Sequence, residues 1–150
     1  QAVDGLREVG MEEEVDVVLM GGIRDGADAA KAIALGAKAV AVGTAALIAM
    51  GCTTCLQCHT NTCPAGLTTQ DPERRKKVDV DAAARAVANL LHAMTEEMKI
   101  LTRSCGKTDV HNLEPEDLRA LTVEASAITR VPLVGSDLVF GAAGPAPAST

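Results

Sequence analysis

Aromatic residues are almost absent from this sequence. Phe140 is the single aromatic residue among 150, and the chain has no Trp and no Tyr. Stacking of nucleobases on aromatic side chains is therefore excluded as a binding mode. The core must be built from Ala, Val, Leu, Ile and Met. Any cofactor must accordingly be held mostly by backbone groups, glycines and aliphatic side chains.

Basic charge and long apolar runs are also scarce. The chain carries 14 Lys and Arg against 20 Asp and Glu, a net charge of -6, which argues against a nucleic-acid interface. The longest apolar run, Ala37 to Gly51, contains Lys38 and is too short to span a bilayer. No secretory leader is recognisable at the N-terminus. The length predicts one domain at most.

Four of the five cysteines lie between Gly51 and Thr69, at Cys52, Cys55, Cys58 and Cys63. Their spacing, Cys-x2-Cys-x2-Cys-x4-Cys-Pro, is one residue longer than the ferredoxin pattern that binds iron–sulfur clusters. No acidic residue occurs from Gly51 to Gln70, so hard, oxygen-preferring cations are poor candidates. The loop therefore predicts an iron–sulfur site.

Two alternatives for this loop stay open. Structural zinc also takes four cysteines, although usually as two separated pairs, and disulfides would require an oxidising compartment. Free cysteines with metal-ligand spacing favour a reducing, cytoplasmic setting. Cys105 lies far from the loop and is interpreted as a lone buried thiol. His59 is either a hydrogen-bond donor near the metal centre or an ordinary loop histidine.

The first third of the chain alternates strand, glycine turn and helix. Such alternation predicts an α/β fold with a parallel sheet and right-handed crossovers. The predicted elements are a buried strand at Val15–Met20, a helix at Ala27–Leu35, a strand at Ala39–Val42 and a short helix at Ala45–Met50.

Two glycine turns follow these strands, at Gly21-Gly22-Ile23-Arg24 and Gly43-Thr44. Glycine lets backbone N–H groups approach a phosphate closely, and Arg24 adds a charged fork that suits phosphate oxygens. Two such turns and a short extra helix match the phosphate site after strands 7 and 8 of a (β/α)8 barrel. The alternative is that Gly21 and Gly22 only form a tight turn.

The remaining chain is predicted to be mostly helical. A basic cluster at Arg74–Lys77 is either an exposed linker or a docking site for an acidic electron-transfer partner. An apolar stripe predicts a helix from Asp79 to Cys105, and Pro115 begins a second helix that runs toward Ile128. The stripe comprises Val80, Ala84, Val87, Leu91, Met94, Met98 and Leu101. The low-complexity segment 141–150 is predicted to be disordered.

The ordered set of motifs closely resembles glutamate synthase, over residues 1 to about 135. The match is to the C-terminal part of the FMN-binding synthase domain of the large subunit. The motifs that carry it are Gly21-Gly22-Ile23-Arg24-Asp25-Gly26, Leu35-Gly36-Ala37, Val42-Gly43-Thr44-Ala45, Leu47-Ile48-Ala49-Met50-Gly51-Cys52, Cys58-His59-Thr60-Asn61-Thr62-Cys63-Pro64-Ala65-Gly66 and Thr69-Gln70.

The resemblance implies two cofactors. FMN would be held through its phosphate, and a 3Fe–4S cluster would be bound by Cys52, Cys58 and Cys63. Cys55 is an additional cysteine that the family pattern does not need; it is either a fourth ligand, giving 4Fe–4S, or a bystander. The phosphate ligands implied are Gly21, Gly22, Arg24, Gly43 and Thr44.

The reaction implied is the reductive transfer of glutamine-derived ammonia to 2-oxoglutarate, which gives glutamate. Electrons would reach FMN through the cluster from a ferredoxin or from an NAD(P)H-oxidising donor. No catalytic residue is singled out by the sequence. A ferredoxin-like electron-transfer subunit, a zinc-stabilised binding module and a related amine-transfer enzyme such as N-methylglutamate synthase are the competing interpretations.

The resemblance also implies that the chain is incomplete as an enzyme. A whole barrel needs about 250 residues, whereas residues 1–51 supply only the last two βα units. Residues 52–70 form the cluster loop, 71–140 a helical extension and 141–150 the tail. The rest of the barrel, or a subunit that completes it, and a glutaminase domain or subunit are therefore expected partners, whereas nucleic acid and membranes are not.

Overall fold

A computed structural model describes residues 2–140 of the chain. None of the helices it describes is both long enough and apolar enough to cross a membrane. The elements are α1 (Ala2–Glu8), β1 (Val18–Met20), α2 (Gly26–Ala34), β2 (Ala39–Ala41), α3 (Thr44–Ala49), α4 (Pro72–Arg75), α5 (Val80–Ser104) and α6 (Val123–Thr129), with 3-10 turns at Val110–Asn112 and Pro115–Asp117.

The two strands form a parallel pair, as the sequence predicts. Val18 is opposite Ala39 and Met20 is opposite Ala41, and α2 connects the strands. The predicted burial and length of the first strand are wrong, because the strand begins at Val18 and its residues are exposed, with Met20 at 80%. An apolar strand is buried only when other elements cover it, and the described part of the chain has a sheet of just two strands.

The core lies between α2 and α5. Small side chains on α2 allow the two helices to approach closely, and aliphatic side chains of α5 fill the space between them. Gly26 begins α2 against the backbone of α5, where the Met94 carbonyl leaves no room for a Cβ atom. One buried cluster contains Ile23, Ala29, Ala32, Ala37 and Met94, and a second contains Ala30, Ala34 and Leu113.

Helix α5 is the predicted long helix. The Asp79 carboxylate caps its start by accepting the Ala82 N–H, and Gly106 follows its end with φ +73°. The predicted apolar stripe is partly wrong, because Val80 is 73% exposed and Leu91 is 46% exposed. The neighbouring residue Leu90 packs on the core instead of Leu91, since consecutive helix residues point about 100° apart.

The single helix predicted from Pro115 to Ile128 is also wrong. The Asp117 carboxylate accepts the Glu114 N–H and forms an ion pair with Lys107. These contacts close the predicted first turn as a 3-10 turn, which ends at Asp117. The chain then becomes extended, and Ala120 pairs with Leu133 before α6 begins. Likewise, the predicted linker at 70–77 contains α4, which the Asp71 carboxylate caps. The predicted tail lies outside the described residues.

Candidate functional site

A cavity of about 660 Å³ lies at the carboxyl ends of β1 and β2. The structure brings together around it all five residues predicted to bind a phosphate. These are Gly21, Gly22, Arg24, Gly43 and Thr44. The remaining wall is aliphatic and is formed by Met20, Ile23, Ala41, Ala45, Ile48, Ala49 and Leu90. The cavity thus combines an apolar wall with two backbone turns, which is typical of cofactor pockets.

The first glycine turn depends on left-handed backbone conformations. Gly21 has φ +106° and Gly22 has φ +74°, where a side chain would be strained. A Cβ atom at either position would meet no other atom within 4 Å. Conformation rather than crowding therefore requires glycine here, and the open side of the turn leaves its backbone accessible to a ligand in the cavity.

The N-termini of α2 and α3 differ in their charge environment. At α2, the Asp25 carboxylate accepts the Asp28 N–H and the Glu97 carboxylate accepts the Gly26 N–H at 2.7 Å. At α3, the N-cap is Gly43, with no side-chain cap. Helix N-termini attract anions through free N–H groups. The start of α2 is therefore surrounded by carboxylates, whereas no side chain caps the start of α3.

Arg24 is held at the cavity by an ion pair. Its Nε donates to Asp28 Oδ2 at 2.7 Å and its Nη2 donates to Asp28 Oδ1 at 3.1 Å. Hydrogen bonds from Arg24, and then from Lys31, hold the pKa of Asp28 well below its usual range. The same pair raises the pKa of Arg24. The guanidinium is thereby oriented, and Nη1 lies outside this ion pair.

We expect Asp28→Asn to lower the melting temperature by a few degrees near neutral pH. The folded pKa of Asp28 lies below its unfolded value, so its contribution to stability is present above the unfolded pKa. That contribution is lost as the pH falls toward the folded pKa. Thermal unfolding of both proteins at about pH 6 and about pH 3 measures the difference. Glu13→Gln, in an exposed turn, is the control. A deficit of equal size at both pH values contradicts the expectation.

The cysteine loop begins directly after α3. Gly51, with φ +96°, ends the helix, and the Cys52 N–H bonds the Leu47 carbonyl at 2.9 Å. Cys52 is half-buried, and its Sγ accepts the Thr54 N–H at 3.4 Å. The helix that borders the cavity therefore also fixes the first thiol of the loop.

The last cysteine of the loop, Cys63, is buried. The Thr68 N–H lowers the pKa of its thiol, and the N–H groups of Leu67 and Ala65 add to this, bringing it to about 7 against the effect of burial. The Thr68 hydroxyl is buried and makes no hydrogen bond within residues 2–140. We therefore attribute the shift to the backbone. N–H donors of this kind favour a thiolate, the form that binds metals.

Hydrogen bonds tie the Cys63 end of the loop to α4 and to Gln70, which precedes this helix. The Asn61 side chain accepts the Gln70 N–H at 2.6 Å, and Arg74 donates to the Thr62 carbonyl at 2.7 Å. Gly66, with φ +80°, packs so closely on the Arg74 carbonyl that a Cβ atom would collide with it. Helix α4 thus serves as the support for the second half of the loop.

The structure does not bring the four predicted metal ligands together. Cys55 and Cys58 are exposed, and all four are free thiols. The predicted burial of Cys105 is wrong, because this residue caps the end of α5 and is exposed. Among residues 2–140, no group of three or more His, Cys, Asp or Glu side chains is close enough to hold a metal ion. The donor chemistry nevertheless fits a soft metal centre, since the loop offers four sulfurs and no carboxylate. Ligation of one centre would require the segment between Cys52 and Cys63 to close around it.

Two residues that shape the site have no role in the sequence analysis. Asp28 orients Arg24, and its position four residues after Arg24 is a signal that could have identified it. Glu97 holds the start of α2 from α5, at a sequence separation of 71 residues. No local pattern marks such a contact.

The strand pair, its glycine turns and the adjoining cavity define this chain as part of an α/β domain. A family model described as the conserved region in glutamate synthase matches residues 1–108. The chain therefore belongs to the glutamate synthase family, and the resemblance noted in the sequence is confirmed.

Known relatives agree with this assignment. The chain is 50% identical to a glutamate synthase large subunit-like protein of Rhizobium meliloti (strain 1021), over 90% of this chain and 34% of that protein. It is 47% identical to the archaeal glutamate synthase [NADPH] of Methanocaldococcus jannaschii, over 72% of this chain and 21% of that protein. The chain thus spans about a third or less of these relatives. No solved structure matches it.

Proposed function

We propose that this chain is the part of a glutamate synthase that binds the FMN phosphate and carries the iron–sulfur centre. The reaction is the reductive transfer of glutamine-derived ammonia to 2-oxoglutarate, which yields glutamate. The observation that supports this proposal most strongly is the cavity after β1 and β2, because five residues predicted independently from two separate turns meet there.

In this proposal the chain binds and orients the phosphate end of FMN. The backbone at Gly21 and Gly22, the start of α3 at Gly43 and Thr44, and the Arg24 guanidinium together provide the donors. The acidic groups at the start of α2 keep the phosphate on the α3 side. The aliphatic wall excludes water from the flavin side of the pocket. FMN, when bound, supplies hydride transfer.

The cysteine loop provides the second cofactor site. Cys52, Cys58 and Cys63 hold a 3Fe–4S cluster, and Cys55 is positioned in sequence to make a fourth ligand for 4Fe–4S. The support for this is the donor chemistry of the loop and the N–H groups that bond Cys52 and stabilise the Cys63 thiolate. The cluster supplies one-electron transfer. Because α3 joins the cavity to Cys52, one short helix separates the two sites.

The remaining barrel strands, on the same chain or on a partner, complete the fold. The exposed apolar residues of β1 are the surface they cover, since an uncovered strand of this kind leaves its edge and face unpaired. A glutaminase domain or subunit supplies ammonia, and a ferredoxin or an NAD(P)H-oxidising protein supplies electrons. We place the protein in the cytoplasm, where thiols remain reduced.

An electron-transfer subunit without flavin is the second candidate function. It is favoured by the short spacing of the cysteines but gives no role to the cavity or to its oriented arginine. The two candidates differ in flavin binding. Riboflavin lacks the phosphate of FMN. If the phosphate is bound, FMN should bind at least about tenfold more tightly than riboflavin, because one hydrogen bond to a charged group contributes that much affinity.

Two experiments test the proposal. The chain is titrated by fluorescence, once with FMN and once with riboflavin. The chain is also reconstituted with iron under anaerobic conditions and measured by EPR. An oxidised-state signal at about g = 2 that disappears on dithionite reduction indicates 3Fe–4S. A signal only after reduction indicates 4Fe–4S with Cys55 as a ligand. Equal affinity for FMN and riboflavin contradicts the phosphate site. Protein that takes up no iron, or that binds zinc instead, contradicts the cluster.

A further inference from the structure

One hydroxyl group behind the cysteine loop is buried without a partner. The Thr68 Oγ1 atom is shielded from solvent, and no hydrogen bond reaches it from any group in residues 2–140. An unpaired buried hydroxyl destabilises a protein, because the group loses its hydrogen bonds to water and gains none in return. Such a group in a native protein is commonly explained by a redox role or by an ion or ligand that pairs with it.

Thr68 lies beside Cys63. The Thr68 backbone N–H is the largest cause of the lowered pKa of the Cys63 thiol, and Cys63 is only 5% exposed. Oγ1 is a few covalent bonds from that N–H, and the Thr68 side chain can take staggered positions about its Cα–Cβ bond. The unpaired hydroxyl is therefore carried by the residue that already bonds the buried sulfur.

Hydrogen bonds close the segment that contains Cys63 and Thr68. The Thr69 hydroxyl donates to the Asn61 carbonyl at 2.7 Å and accepts the Asp71 N–H at 3.1 Å. The segment is thus tied together on both sides of Cys63. The two adjacent threonines also differ, because the Thr69 hydroxyl is paired within the protein while the Thr68 hydroxyl is not.

We propose that the Thr68 hydroxyl donates a hydrogen bond to the Cys63 sulfur when a metal centre occupies the loop, and that this bond raises the reduction potential of the centre. Hydrogen bonds to the sulfurs are one of the factors that set the potential of iron–sulfur centres. A donor favours the reduced state, since that state carries more negative charge. The inference rests on the proposed iron–sulfur role of the loop. Thr68 is not itself a ligand in this scheme.

The test is a redox titration of the anaerobically iron-reconstituted chain, followed by EPR. Thr68→Val replaces the hydroxyl with a methyl group of similar size. At a fixed potential it should raise the ratio of oxidised to reduced centre about tenfold, which is a fall of about 59 mV in the midpoint potential of a one-electron couple. Thr68→Ser keeps a hydroxyl and should restore the wild-type potential. The control is Thr62→Val, the same substitution at an exposed residue next to Cys63, and it should leave the potential unchanged.

The metal-free chain provides a second readout. The Thr68 hydroxyl has no partner there, so Thr68→Val should unfold at the same urea concentration as wild type or at a higher one. In the iron-loaded chain the same substitution should instead release iron to a chelator about tenfold faster, because partners of metal ligands support metal affinity. A purely structural hydroxyl would destabilise both forms of the chain when it is removed.

Three results would overturn the inference. The first is a wild-type potential in iron-loaded Thr68→Val. The second is an equal shift in Thr68→Ser or in Thr62→Val, which would show that the hydroxyl is not the cause. The third is destabilisation of the metal-free chain by Thr68→Val. Iron uptake by wild type together with any of these results leaves the proposed function standing, whereas wild type that takes up no iron contradicts the proposed function and the inference with it.

Discussion

Replacing Cys63 with serine is expected to abolish assembly of the proposed iron–sulfur centre. Cys63 is buried, and backbone N–H groups lower the pKa of its thiol to about 7, which favours the thiolate form that binds metals. A hydroxyl is a hard oxygen donor and a poor ligand for a soft metal centre. Iron content and visible absorbance after anaerobic reconstitution measure the loss.

The cysteine outside the loop provides the matched control. Cys105→Ser removes an exposed thiol that follows α5, and it should leave the iron content unchanged. Cys55→Ser separates the two cluster types: it should leave a 3Fe–4S centre intact but convert a 4Fe–4S centre into a 3Fe form. If Cys63→Ser retains wild-type iron while Cys105→Ser loses it, the assignment of the loop is wrong.

The second large effect is expected from Gly26→Ala. A Cβ atom at this position would collide with the Met94 carbonyl and lie 2.9 Å from Glu97 Cβ. Because the obstacle is backbone, the α2–α5 interface must open. Overpacking of a core costs about 1–3 kcal/mol. The weakened bond from the Gly26 N–H to Glu97 raises the expected loss to roughly 3 kcal/mol.

Urea unfolding of the wild type and the variant, followed by far-UV circular dichroism, gives this free energy. Gly5→Ala is the matched control, because Gly5 lies inside α1 and a Cβ atom there meets nothing within 4 Å. Alanine at such a helix position should stabilise by about 0.5–1 kcal/mol. Equal behaviour of the two variants would mean that the α2–α5 contact is not closed in solution.

The fold was predictable wherever its determinants are local. The strand–turn–helix alternation and the apolar periodicity after Asp79 are short-range signals, and the elements they predict are present. Prediction failed where a distant contact outweighs the local pattern. The helix expected from Pro115 to Ile128 is interrupted because the Ala120 N–H bonds the Pro132 carbonyl, a contact that no helical periodicity reveals.

The candidate site likewise has parts that local sequence predicts and parts that depend on distant contacts. Residue type and order identified the five cavity residues, since a phosphate turn is built from consecutive residues after a strand. The contacts that shape this site come from elsewhere: Glu97 reaches the start of α2 from α5, and Arg74 supports the cysteine loop from α4. The ligation of a metal by the four cysteines stays a prediction from their spacing.

The sequence by itself determined the family, the order of the elements and the chemistry available to the chain, because these depend on residue identity and spacing along the backbone. The tertiary structure alone decided what surrounds the start of α2. The Asp25 cap of α2 and the lack of a side chain at Gly43, the N-cap of α3, are local features of the sequence. The Glu97 carboxylate reaches the Gly26 N–H only because α5 packs on α2. That contact joins residues far apart in the chain, so no stretch of sequence encodes it locally.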